Sequence, residues 1–79
     1  MMDTLKRVGN LIRAKRLELG WSQEELAHQA GKHRTYISSI ERGARNPTIT
    51  VLHAIAKAMG TSVSELLSGL KASDTNSKN

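Results

Sequence analysis

Positions 32–47 read KHRTYISSIERGARNP and hold a dense set of groups able to bond to something outside the chain. His33, Arg34, Thr35, Ser38, Ser39, Arg42 and Arg45 supply guanidinium forks, hydroxyls and an imidazole, and Glu41 is the one acid among them. That mixture suits a polyanion. A planar guanidinium can donate two bonds to guanine O6 and N7, hydroxyls serve several bases, and cations grip phosphate. It suits catalysis poorly, because a serine nucleophile needs a base held by an orienting acid, and none is spaced for it. His28, His33 and His53 are scattered without cysteine or clustered acid, so no metal set forms. There is no glycine-rich phosphate loop. The expectation is a protein that is not an enzyme and has no cofactor. The bland alternative for each polar residue is a solvated helix face.

A helix over about 34–42 would bury only Ile37 and Ile40, three apart, and turn the polar groups outward. Gly43 ends it, and Pro47 blocks any continuation. Upstream, Ser22 and Glu25 form a capping box, with Trp21 and Leu26 as its hydrophobic staple, and Gly31 ends that helix. Asp3 caps a first helix running to about position 19, with Val8, Leu11, Ile12 and Leu19 on its apolar side and Gly20 as its stop. Thr48 caps a fourth, which buries Leu52, Ile55, Ala56 and Met59 and ends at Gly60. Ser62 and Glu65 open a short fifth, VSELLSGL. No strand pattern occurs. The fold class expected is all-α, a compact five-helix bundle over 1–70, with KASDTNSKN at 71–79 as a disordered polar tail.

Composition sets the outer limits. Seventy-nine residues make one small domain, able to bury only about 60–65% of its unfolded surface. Without Phe or Cys the core must be aliphatic, and disulfides and zinc fingers are excluded. No apolar run is long enough to span a membrane, and MMDTLKRVGN lacks a signal-peptide core, so a cytoplasmic protein is expected. A net charge of +5 favours a polyanionic partner.

The spacing between the second and third helices carries more weight. Gly31 and one or two neighbours are too few for a relaxed antiparallel loop, so the helices must cross steeply, as in a helix-turn-helix. Such a crossing needs a small residue at the close approach (Ala27), a residue tolerant of positive φ in the turn (Gly31), and aliphatic anchors on the next helix (Ile37, Ile40). These fall four, ten and thirteen residues after Ala27, and all hold together. In this motif the second helix enters the major groove with its first residues nearest the bases. Those residues are His33, Arg34 and Thr35, with Ser38 and Ser39 one turn further on. Arg42, Arg45 and Asn46 follow and are placed to hold phosphate, which fixes register without reading sequence.

Residues 23–42 resemble the helix-turn-helix of the lambda-repressor-like family, which includes Cro and xenobiotic-response-element-type regulators. The resemblance runs through LGWSQEELAHQAGKHRTYISSIERGARNPTITVLHAIAKAMGTSVSELL and covers about 8–67. HRTYISSIERGARN is similar to the recognition helix and following loop of restriction-modification controller proteins, small homodimeric regulators that time expression of a restriction endonuclease. The resemblance implies that Gln23, at the start of the second helix, grips phosphate. It also implies that Glu41 pairs with Arg16 of the first helix. Tyr36 has two readings, half core or ring against DNA, and the controller resemblance implies the second. Lys32 departs from the family, which usually has an apolar residue after the turn glycine; its stem can pack while its ammonium reaches outward.

The function implied is a sequence-specific, double-stranded DNA-binding transcriptional regulator, an activator or repressor whose dimers block or recruit RNA polymerase. Two-fold symmetry is the simplest way to double a short reading head. Val63, Leu66, Leu67 and Leu70 crowd the last helix beyond the needs of one packing stripe, and with Ile49 and Val51 they form the expected dimer surface. The alternatives are a phage-type or chromosomal repressor, or an antitoxin whose second surface would clamp a toxin.

Overall fold

A computed structural model describes residues 3–70, so the expected tail at 71–79 lies outside the described residues. Five helices follow one another: α1 (Thr4–Glu18), α2 (Gln23–Ala30), α3 (Arg34–Glu41), α4 (Ile49–Ala58) and α5 (Val63–Leu66), with no strand among the described residues. Four of them begin on a side-chain cap. The Asp3 carboxylate accepts the Leu5 N–H at 3.2 Å, and the hydroxyls of Ser22, Thr48 and Ser62 accept the N–H of Glu25, Val51 and Glu65 at 3.0–3.1 Å. α3 begins on His33 with no such bond.

The turn between α2 and α3 is a Schellman motif. Gly31 is left-handed at φ +68°, its N–H donates to the His28 carbonyl at 3.2 Å, and the Lys32 N–H donates to the Ala27 carbonyl at 2.8 Å. Only glycine adopts that conformation without strain. Ile12, Leu26, Ile37, Ile40 and Ile55 form the fully enclosed centre, with Val8, Ala27, Leu52, Ala56, Met59 and Leu66 around it. Ile37 and Ile40 are the residues through which α3 is anchored there.

Three boundaries differ from the expected ones. α1 stops at Glu18, and Leu19 is its cap residue, 39% exposed; Gly20, at φ +76°, turns the chain before the leucine can fold back on the core. α3 stops at Glu41 with Arg42 as its cap. α5 stops at Leu66, Leu67 breaks the run, and helical backbone resumes over 68–70. Leu66 needs a correction as well. It is 7% exposed and belongs to the central core, so it has no surface to offer a partner.

One glycine sets how α1 meets α3. Gly9 is buried in the middle of α1, and a Cβ there would lie 2.5 Å from the Glu41 carbonyl oxygen and closer still to that of Ile40. Gly43, just past α3, likewise abuts Lys6, whose Cα would be 2.8 Å from an added Cβ. The α1 backbone therefore rests directly on the chain at 40–43, with no side chain between. Among the described residues no helix is long and apolar enough to cross a membrane.

Candidate nucleic-acid interface

α3 is held from below by Ile37 and Ile40, and the rest of its surface is the candidate interface. His33, Arg34 and Thr35 are exposed at its first turn, and Tyr36, Ser38 and Ser39 are half-buried. Arg34 and Thr35 make no side-chain hydrogen bond among the described residues, so their bonding groups are left to an outside partner. Ser38 and Ser39 are engaged within the chain. The Ser38 hydroxyl accepts from Arg42 Nη1 at 2.6 Å, and the Ser39 hydroxyl donates to the Tyr36 carbonyl at 2.8 Å. The first bond holds the Arg42 fork along the helix. The second leaves Ser39 only its acceptor lone pairs.

The loop after α3 folds back toward the same face. Arg45 lies over the Tyr36 ring with its guanidinium carbon 4.9 Å from the ring centre, a cation–π contact. Tyr36, Arg45, Lys32, His33 and Thr35 line an open depression of about 500 Å³ beside the first turn of α3. Lys32 is half-buried there, and Asn46 is exposed on the loop. Lys32 and Arg45 thus border the same depression as Thr35.

Glu41, the one acid in this stretch, is turned away from the face. Its carboxylate accepts Arg16 Nε at 2.7 Å and Arg16 Nη2 at 3.0 Å, a bidentate fork. Gln23 Nε2 donates to the same carboxylate at 3.0 Å, and Arg16 Nη1 donates to the Trp21 carbonyl at 2.7 Å. Arg16 is 6% and Glu41 5% exposed. The hydrogen bond to Glu41 raises the Arg16 pKa above its ordinary value, against a smaller lowering by burial. The carboxylate is therefore neutralised at the junction of α1, α2 and α3, and an anion that would repel phosphate is removed from the surface. Gln23, assigned to phosphate from the resemblance, has one amide hydrogen on Glu41 in this arrangement and keeps the other.

Sequence reasoning missed two contributors. The bond from Gln23 to Glu41 has no signature in spacing, because the two residues lie on different helices. Gly9 did have one: a glycine inside a long helix costs about 1 kcal/mol relative to alanine, which signals a packing reason. Among the described residues no three His, Asp or Glu side chains gather into a metal-binding group.

Residues 12–66 match the helix-turn-helix family. The chain belongs to that family. The regulator is 46% identical over 72 residues to control protein C.SmaI of Serratia marcescens, covering 89% of this chain and 86% of that protein. It is 45% identical over 60 residues to control protein C.BamHI of Bacillus amyloliquefaciens, covering 75% and 74%. Among solved structures it is similar to the restriction-modification controller protein C.Esp1396I, seen as a tetramer in complex with its natural 35 base-pair operator. That match has a TM-score of 0.79 at 39% identity and covers 90% of this chain and 95% of that one. The helix-turn-helix regulator is a DNA-binding transcription factor by family, and not an enzyme. The all-α fold and the resemblance to controller proteins stand as read from the sequence.

Proposed function

We propose that this regulator works in the cytoplasm as a homodimer on a pseudo-palindromic operator, as a restriction-modification controller. The observation that carries the reading is the state of α3: the side chains of its first turn are exposed and make no hydrogen bond among the described residues, while its one acid is locked into an internal ion pair. Arg34 is the principal reader, through a bidentate contact to guanine, with His33 and Thr35 beside it. Ser38 and Ser39 contribute through their remaining lone pairs. Gln23, Tyr36, Arg42, Arg45 and Asn46 hold the phosphates that fix the register. Bound dimers act by occupancy, blocking or recruiting RNA polymerase.

The dimer surface is centred on Ile49, which is 68% exposed at the first position of α4. Half-buried Val63, Leu67 and Leu70 continue it, whereas Val51 lies about 200° round α4 from Ile49 and lines the depression beside α3. Pairing through this end would place two α3 helices about 34–36 Å apart, for half-sites about 10–10.5 base pairs apart. Ile49→Glu is expected to leave helicity unchanged and to weaken self-association and operator binding together. Sedimentation of the variant as a dimer like the wild type would reject this surface.

Selection of bound duplexes from a random pool supplies the operator and tests its symmetry. On the selected site, Arg34→Ala is expected to weaken binding by about 1–3 kcal/mol and to relax the preference at one base position. Equal losses on the selected site and on random duplex would remove Arg34 from sequence reading.

A further inference from the structure

Positive charge on this chain extends beyond the recognition helix. Lys6 and Arg13 of α1 are exposed, as is Asn10 between them. Each cation stands three residues before an α1 residue that meets the end of α3: Lys6 before Gly9, Arg13 before Arg16. At 3.6 residues per turn, both lie about 60° round α1 from that contact line and on the same side, with Asn10 beside them. The stripe adjoins the loop behind α3, since the Lys6 backbone abuts Gly43, the residue after Arg42. Neither Lys6 nor Arg13 has an acidic partner among the described residues. Glu41, the acid next to this contact line, is buried and paired with Arg16. Glu18 and Glu65 face the groove between α1 and α5, Glu24 and Glu25 occupy the first turn of α2, and the Asp3 carboxylate is turned to the Leu5 N–H.

We propose that Lys6, Asn10 and Arg13 form a second phosphate-binding surface, which holds the DNA backbone flanking the half-site read by α3. The proposal rests on the reading of α3 as the groove-binding helix. Seven residues of helix span about 10 Å, about the rise of three phosphates on one strand. Contacts of this kind carry no base information. They lengthen the footprint and steepen its salt dependence.

The test uses the full chain and the double variant Lys6→Gln with Arg13→Gln, both sites being on the surface. The probe is the duplex selected from a random pool by the wild type, made with flanks of about two or about ten base pairs beyond the reading site. The wild type is expected to bind the long duplex about tenfold tighter than the short one near 0.1 M salt. The double variant should lose that advantage, match the wild type on the short duplex, and show a slope of log K against log salt lower by about 1.8. Losses equal on both lengths, or an unchanged slope, would overturn the proposal while leaving α3 as the reader. A wild type that selects no duplex over random DNA would overturn the reading beneath it, and this one with it.

Discussion

Replacing Arg16 with alanine is expected to destabilise the protein by about 3–5 kcal/mol, the usual cost of stripping the partner from a buried ion. Glu41 is 5% exposed, and without Arg16 its carboxylate keeps only the single bond from Gln23. A domain this small loses about 4–8 °C of Tm per kcal/mol, so a fall of at least ~12 °C should be visible by circular dichroism. Replacing both partners with apolar residues of similar volume, Arg16→Met with Glu41→Leu, should recover much of the loss, because no charge is then left buried. The order matters more than the size: if Arg16→Ala melts at or above the double variant, the buried carboxylate is not the source of the cost. Arg16 adds no pH dependence near neutrality. Its pKa is raised in the folded state, so its contribution is complete below its unfolded value and is lost only as pH rises through the folded one, both far on the alkaline side.

The second large effect is at Gly9. Helix propensity alone predicts that Gly9→Ala stabilises α1 by about 1 kcal/mol. The structure predicts the opposite sign. The new Cβ would meet the Ile40 and Glu41 carbonyl groups, which are backbone and cannot rotate aside. α1 would have to move off α3, loosening the core to which Ile12 and Ile40 belong and stretching the Arg16–Glu41 fork. Overpacking of this kind costs about 1–3 kcal/mol and at times more. Asn10→Ala, one residue on and exposed, is the internal control and should be neutral or slightly stabilising. A urea midpoint for Gly9→Ala above the wild type would show that the helices separate without cost.

The helix frame was legible because its signals are local. Ser22 with Glu25, Thr48, and Ser62 with Glu65 announce helix starts within four residues of chain, and Gly31 announces a turn that needs positive φ. Periodicity found Ile37 and Ile40 as the anchors of α3. What stayed hidden depends on groups distant in sequence or on atoms that are not there. Gly9 matters through a missing Cβ, and hydrophobic patterning records only side chains that are present. Leu66 and Leu67 look equivalent in sequence, yet the break after Leu66 puts the first in the core and leaves the second half-buried. Ser38 and Ser39 look like free hydroxyls, but Arg42 and the Tyr36 carbonyl take them, since a helix brings residues three and four apart into contact.

The unbonded state of Arg34 and Thr35 bears on how such a protein diverges. Neither side chain supports the scaffold, so exchanging either should change folding stability by no more than about 0.5 kcal/mol, as for ordinary surface positions. If the first turn of α3 reads the operator as proposed, new preferences arise by single substitutions at these two positions without first eroding the domain that displays them. Ser38 offers no such freedom, because changing it also releases Arg42, the side chain that the proposed function sets on phosphate. Lineages that redraw their operator have an open route through the first turn of the helix and a coupled, narrower one through the second.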